Sequence, residues 1–276
     1  MNIQRIAAFS NGEIGGNPAG VVLCEVLPEA SVMQRVAAEV GYSETVFAAP
    51  TDGGWRVRYF APEIEVPFCG HATIALGAAL ALKHGDGIFS LVLNNARITV
   101  QGEQKGTILV AALQSPATHS EPATPELIAD VLDLFSLVKE DLDARIPPAV
   151  AIAGAKHVVI ALSTRDLLSS MQYDLAAGKK LMLENGLATI TLAYAQTPQL
   201  FHVRNPFASG GVYEDPATGA AAAALGGYLR DCNWPHAGHI DIMQGDDMGI
   251  PSRIRADISS TPGESIRVSG LARIMQ

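Results

Sequence analysis

No apolar run of roughly 18 residues, no CxxC pair and no basic cluster occurs in this sequence, and each absence removes a class of function. The longest alanine-rich stretch, 220–229, is short and broken by Gly226-Gly227, so no membrane span is expected. Residues 1–10 lack a charged head followed by a long apolar run, and no signal peptide is read there. The cysteines are Cys24, Cys69 and Cys232, an odd number that cannot pair completely, which makes a reduced, cytoplasmic setting the expectation. Basic side chains are scattered, with Lys179-Lys180 the only adjacent pair, and 19 Lys and Arg against 28 Asp and Glu leave a net charge of −9. That balance argues against nucleic acid, because affinity for a phosphate backbone depends on clustered Lys and Arg. Also missing are GxGxxG, Walker and GxSxG loops, so neither a dinucleotide nor a nucleotide cofactor is supported. The seven histidines show neither HxxxH nor HxxE spacing, and no metal is expected.

What remains is apolar and lightly charged, at 48% and 17%, a composition that folds. A chain of 276 residues suits two domains or one large α/β unit. Strands are expected over 4–9, 20–26, 45–49, 55–60 and 89–100. Helices are expected over 30–40, with Val32, Val36 and Val40 on one face and Ser31 as a cap, and over 72–83. Three prolines with Ser, Thr and Ala between Gln114 and Pro125 read as an inter-domain linker. Beyond it a second series follows: helix 125–137, strands 149–153 and 157–162, and helices 164–168 and 175–185. Strands near 189–195 and 200–204 and a helix over 217–229 complete it.

The two series share a segment. Arg58-Tyr59-Phe60-Ala61-Pro62 leads through Phe68-Cys69-Gly70-His71-Ala72-Thr73 into a helix of Ala and Gly. Arg204-Asn205-Pro206-Phe207 leads through Glu214-Asp215-Pro216-Ala217-Thr218-Gly219 into another. Small residues along a whole helix imply close backbone approach on most sides, so each helix is expected to be surrounded by sheet. The domains are placed at 1–115 and 116–276, with the last strand free to return to the first.

A helix start offers unpaired N–H groups and partial positive charge, which suit a carboxylate or phosphate. Cys69-Gly70-His71 and Asp215 through Gly219 both lie at such starts, although Asp215 reads equally as a plain helix cap. His71 is a candidate proton shuttle or donor, against the commoner structural role of a lone histidine. For Cys69 the helix start favours the reactive thiolate, and a small buried filler is an equal alternative. Glu44, in Gly41-Tyr42-Ser43-Glu44-Thr45-Val46-Phe47, stands at the entrance to an apolar strand. It can pass a proton if it faces a dry pocket, and is a solvated loop charge otherwise.

Taken together, five ordered motifs resemble the phenazine-biosynthesis PhzF-like isomerase family. They are Gly16-Asn17-Pro18-Ala19-Gly20-Val21, Ser43-Glu44-Thr45-Val46-Phe47, Arg58-Tyr59-Phe60-Ala61-Pro62, Phe68-Cys69-Gly70-His71-Ala72-Thr73 and Glu214-Asp215-Pro216-Ala217-Thr218-Gly219. Weaker matches fall at Gly154-Ala155-Lys156-His157, Gln244-Gly245 and Val268-Ser269-Gly270-Leu271-Ala272. The resemblance implies an α/β, diaminopimelate-epimerase-like fold: two similar domains, each a curled mixed sheet around a central helix, with the site between them. It implies a cofactor-independent isomerase that moves a proton on a small carboxylate-bearing substrate, and homodimers are common in the family.

Mapped onto this chain, Glu44 is the general acid and base, and His71 and Asp215 share the catalytic site. Asn17, Gly70, Ala72, Thr218, Gly219 and Ala220 bind substrate. Related epimerases use two thiols at the two helix starts. Here Cys69 is near the first and no thiol is at the second, so a two-thiol mechanism is disfavoured. A one-thiol epimerase using Cys69 and a catalytically idle metabolite binder stand as alternatives. Ala220 occupies a position where the family usually carries serine, and Arg204-Asn205-Pro206-Phe207 departs from an aromatic-rich version.

Overall fold

The computed structural model describes residues 1–275 as an α/β protein. The chain clusters into two compact units, one of Met1–Gln114 together with the C-terminal stretch from Ser269, the other of Ser115–Val268.

In the first unit the strands are β1 (Gln4–Ser10), β2 (Asn17–Leu23), β3 (Thr45–Thr51), β4 (Gly54–Phe60), β5 (Glu65–Val66), β6 (Gly87–Val92), β7 (Arg97–Lys105) and β8 (Ile108–Gln114). They alternate with helices α1 (Ala30–Val40) and α2 (Gly70–His84), and the chain's last strand, β17 (Arg267–Ile274), joins them. Pairing runs β1–β2–β3–β4–β6–β7–β8–β17 and back to β1, a closed ring with β2/β3 and β4/β6 parallel. Closure removes sheet edges, and the interior must then be filled. Helix α2 fills it: Gly70 through Ala81 are all buried, and the helix packs on β1, β2, β3, β6, β7 and β8. A helix enclosed on all sides has to be apolar all round, which Ala, Leu and Ile supply without an amphipathic stripe.

Small residues set how near the strands come. A Cβ built on Gly102 in β7 would lie 2.1 Å from the Gly77 carbonyl oxygen of α2, and one on Gly77 would lie 2.6 Å from Val100. Gly102→Ala therefore forces backbone apart and should destabilise the protein by roughly 3 kcal/mol. Urea unfolding would show this as a lowered midpoint at unchanged slope.

The second unit carries β9 (His119–Pro122), α3 (Pro125–Leu134), β10 (Ala149–Ile152), β11 (Lys156–Ala161), α4 (Arg165–Ser169), α5 (Leu175–Glu184) and β12 (Thr189–Ala195). It continues with β13 (Leu200–Phe207), β14 (Val212–Asp215), α6 (Gly219–Asp231), β15 (His239–Gln244) and β16 (Ser252–Asp257). Its sheet runs β9–β10–β11–β12–β13–β15–β16, with β11/β12 and β13/β15 parallel and β14 added on β13. The two parallel crossovers match those of the first unit step for step, α6 taking the place of α2 and β14 that of β5. Helix α6 packs on β9, β10, β11, β15 and β16 and is buried from Ala221 to Arg230.

Several sequence expectations shift. Residues 89–100 are not one strand: Leu93 N–H donates to Ala96 O at 2.9 Å, and Asn94-Asn95 turns the chain between β6 and β7. Helix α1 is capped at Glu29 and not at Ser31, and it buries Met33, Val36 and Ala37. The Pro-rich stretch 114–125 is not a bare linker, since β9 lies inside it and pairs with β10. Among the described residues no helix is long and apolar enough to cross a membrane.

Candidate active site

In the first unit Cys69 is the N-cap of α2, in extended conformation, and contributes no side-chain cap bond. Its carbonyl is held instead. Thr73 Oγ1 donates to Cys69 O at 2.7 Å, and the buried Tyr59 hydroxyl lies 2.7 Å from Thr73 Oγ1. Burial pushes the Tyr59 phenol well above its ordinary value, so it stays neutral and serves as a hydrogen-bonding group.

His71, one residue into the first turn, is buried and meets side chains from β2, from the loop before β3 and from the N-cap of its own helix. Asn17, the first residue of β2, places Nδ2 at 3.3 Å from His71 Nδ1. Cys69 Sγ lies 3.4 Å from the same nitrogen and 3.9 Å from Nε2. Ser43 Oγ lies 3.4 Å from Nε2. The Asn17 amide nitrogen and the Cys69 thiol both face Nδ1, an arrangement that suits a ring carrying its hydrogen on Nε2.

Glu44 immediately precedes β3, and its carbonyl accepts from Gly20 N–H at 3.2 Å, tying it to β2. It is only 9% exposed. Its Oε2 lies 3.4 Å from His71 Nε2, within ion-pair range but without hydrogen-bond geometry, and this buried oxygen has no hydrogen-bond partner. A buried polar atom left unsatisfied is costly, and natural proteins keep such atoms where a function uses them. Asn17, Ser43, Glu44, Cys69, Gly70, His71 and Ala72 therefore gather at one place, the start of α2.

The second unit assembles its own group. Asp215 ends β14, and Thr218 is the N-cap of α6. Thr218 Oγ1 donates to Asp215 Oδ2 at 2.5 Å, so the cap residue is Thr218 and Asp215 is its acceptor. Gln244, at the end of β15, fixes this corner: Nε2 donates to Asp215 O at 2.6 Å and to Thr218 Oγ1 at 3.1 Å. Its Oε1 accepts from Thr218 N–H at 3.1 Å. Thr218 makes no side-chain cap bond to α6, in contrast to Thr124, Thr164 and Asp174, which cap α3, α4 and α5. The first turn of α6, with Gly219 buried and Ala220 part-exposed, therefore carries no side-chain cap from Thr218.

Glu214 lies beneath it in a buried bidentate pair with Arg204, with Nε–Oε1 at 2.9 Å and Nη2–Oε2 at 2.5 Å. Ser43, Gln244 and the Arg204–Glu214 pair have no role legible in the sequence alone. Ser43 and Gln244 sit inside recognised motifs, which was the available signal. The ion pair needs the β13/β14 register, which only the fold supplies.

Deeper in this unit, His157 is fully enclosed, with Nδ1 at 2.8 Å from Thr189 Oγ1 and Nε2 unpartnered. Thr189 and Thr191 both donate to Asn205 Oδ1, and Asn205 faces Asp215 across the β13/β14 pair. Burial lowers the His157 pKa from 6.5 to about 4. The unfolded chain then binds more protons than the native one between those values, so stability falls as pH drops through that window. The loss is roughly 3 kcal/mol by pH 4. Urea unfolding from pH 7 down to 4 checks this: His157→Gln should flatten the slope, and a wild-type midpoint independent of pH would contradict it.

The sequence profile of the phenazine biosynthesis-like family, PhzC-PhzF, matches residues 6–276. A trans-2,3-dihydro-3-hydroxyanthranilate isomerase from Pseudomonas aeruginosa is 32% identical over 275 residues, covering 96% of this chain and 94% of that protein. An uncharacterized isomerase, YddE, from Escherichia coli O157:H7 is 30% identical, covering 99% of this chain and 96% of its own. Among solved structures, a PhzF-family phenazine biosynthesis protein from Bacillus anthracis superposes with a TM-score of 0.87 at 22% identity, over 99% of this chain and 96% of that one. The last likeness concerns the fold alone.

Proposed function

The chain belongs to the phenazine biosynthesis-like PhzC-PhzF family of isomerases, and from that premise we propose that it moves a proton between carbon atoms of a small carboxylate-bearing metabolite, with Glu44 as general acid and base and no cofactor. The observation that carries the reading is the buried Glu44 Oε2, without a hydrogen-bond partner and 3.4 Å from His71 Nε2. A buried carboxylate with an uncommitted oxygen can take a proton from carbon, exchange it with solvent, and deliver a proton elsewhere on the same molecule. With hydrogen on Nε2, His71 donates toward the carboxylate or a substrate oxygen as charge develops. Asn17 and Ser43 keep that ring in place, and the N–H groups at Gly70 and Ala72 favour an anion. Roles in substrate binding for Asp215, Thr218, Gly219 and Ala220 rest on the family motif and on the ordered start of α6. With a net charge of −9 the overall field gives a carboxylate no help, so local dipoles must bind it.

The substrate named for the Pseudomonas aeruginosa relative is the first compound to try. The expected result, in deuterium oxide, is carbon-bound deuterium in it or in another member of a panel of small unsaturated carboxylates, read by proton NMR. Binding without exchange across the whole panel would favour a catalytically idle binder instead. A second reading, a one-thiol epimerase, draws support from Cys69 Sγ at 3.4 Å from His71 Nδ1. Unchanged turnover in Cys69→Ala would remove it.

A further inference from the structure

We propose that Gln244 is a positioning residue that holds Asp215 as a permanent anion. Asp215 then meets the substrate as a hydrogen-bond acceptor, against an amine or a hydroxyl, and not as a proton donor. Both residues belong to the second unit, Asp215 at the end of β14 and Gln244 at the end of β15.

Two backbone groups fix which way the Gln244 amide lies. The Thr218 N–H needs an acceptor and finds Oε1 at 3.1 Å, and the Asp215 carbonyl needs a donor and finds Nε2 at 2.6 Å. An N–H cannot accept and a carbonyl cannot donate, so the flipped amide is excluded. The second hydrogen on Nε2 goes to Thr218 Oγ1, at 3.1 Å. With that lone pair engaged, the Thr218 hydroxyl turns its own hydrogen to Asp215 Oδ2, at 2.5 Å. Hydrogen bonding therefore runs one way, from Gln244 through Thr218 to Asp215. Such a chain polarises each member and favours the charged form of the carboxylate at its end. Gln244 is only 1% exposed, so water does not compete for its amide.

The surroundings agree. Successive side chains of β14 point to opposite faces, which puts Glu214 on the far side, paired with Arg204. On the face of Asp215 stands Asn205, its partner in register, and Asn205, Ala221, Ala222 and Gln244 line one narrow void. The titratable group that reaches this face is His157, through Thr189 and Asn205, and burial keeps it neutral. A fixed anion repels a substrate carboxylate and takes hydrogen from an amine or a hydroxyl. The substrate class narrows accordingly to small carboxylates that carry such a substituent.

The claim about substrate rests on the isomerase reading, and the state of Asp215 does not. The test uses the full chain, with aspartate labelled at Cγ with carbon-13 and the Asp215 resonance identified by its loss in Asp215→Asn. Between about pH 8 and 5 that resonance should stay still in the unmodified chain, a reading that needs no other variant. Gln244→Glu keeps the shape of the side chain and leaves Thr218 Oγ1 without its donor, and Thr218→Val removes the hydroxyl. In both, the carboxyl should bind protons about tenfold more tightly and begin to titrate in that range. With trans-2,3-dihydro-3-hydroxyanthranilate, the compound named for the Pseudomonas aeruginosa relative, Thr218→Val should raise KM roughly tenfold and change kcat by less than about threefold. Thr218→Ser, with the hydroxyl restored, should recover most of that loss. Inhibition by benzoate, a carboxylate with neither an amine nor a hydroxyl, should weaken by less than about twofold in Thr218→Val.

An Asp215 resonance that titrates in this range in the unmodified chain, or that behaves alike there and in Gln244→Glu, would overturn the positioning role. Lowered urea midpoints with resonance and KM unmoved would mark Gln244 as structural only, with the same consequence. A KM unchanged in Thr218→Val, or a loss for benzoate as large as for the substrate, would overturn the substrate assignment. The expected resonances in a protein that turns over no compound would uphold the held anion and count against the isomerase reading alone.

Discussion

Arg204→Ala is expected to cost about 3 to 5 kcal/mol, the largest stability loss of any single substitution considered for this protein. Both partners of the pair are buried, at 9% and 3% side-chain exposure, so solvent screens little of the interaction. The guanidinium also donates through Nη1 to Ser169 O at 2.9 Å, closing the end of α4. Removing Arg204 strands the Glu214 carboxylate in the interior with no cation, and that uncompensated charge makes up most of the cost. The double variant Arg204→Met, Glu214→Leu should therefore lose less than Arg204→Ala alone, because neither charge remains. Urea unfolding of the three proteins at pH 7 would decide. A double variant that is less stable than Arg204→Ala would place the cost in the lost carbonyl contacts and not in the stranded charge.

Glu44→Gln should lower turnover roughly a thousandfold, within the range that general acid–base groups contribute. That corresponds to about 4 kcal/mol of transition-state stabilisation. Stability should hardly change. The amide has the shape of the carboxylate and removes a buried oxygen that has no hydrogen-bond partner, while giving up the 3.4 Å ion-pair contact with His71 Nε2, so the two effects offset and little stability is lost. A protein that melts close to the wild-type temperature while losing nearly all its activity is the expected pair of results. A variant that lost activity only because it unfolded would carry no such dissociation, and thermal melts beside steady-state rates separate the two.

Much of this arrangement was legible in the residues themselves. Small side chains over the expected helices 72–83 and 217–229 point to two helices enclosed by sheet, and α2 is buried from Gly70 to Ala81 and α6 from Ala221 to Arg230. The repeat was visible in one pair of segments, and the matching parallel crossovers extend it across both units. Turn chemistry at Asn94-Asn95 is masked in the sequence by the apolar residues on either side. Strand β9 was concealed for the opposite reason, since prolines and Ser and Thr resemble a linker until β10 gives them a partner. Motifs named Glu44, Cys69 and His71 without their separations, and distance is what decides their chemistry. The Arg204–Glu214 pair lay further out of reach, because a charge pair ten residues apart is fixed by the β13/β14 register and by no local signal.

The central claim is that Glu44 carries the proton, and isotope incorporation tests it most directly. Wild type and Glu44→Gln are incubated in deuterium oxide with a substrate that the wild type turns over, beginning with trans-2,3-dihydro-3-hydroxyanthranilate, and carbon-bound deuterium is followed by mass spectrometry. The account predicts one deuterium gained at the receiving carbon with the wild type and next to none with the variant over the same time. Deuterium entering at the wild-type rate with Glu44→Gln would contradict it.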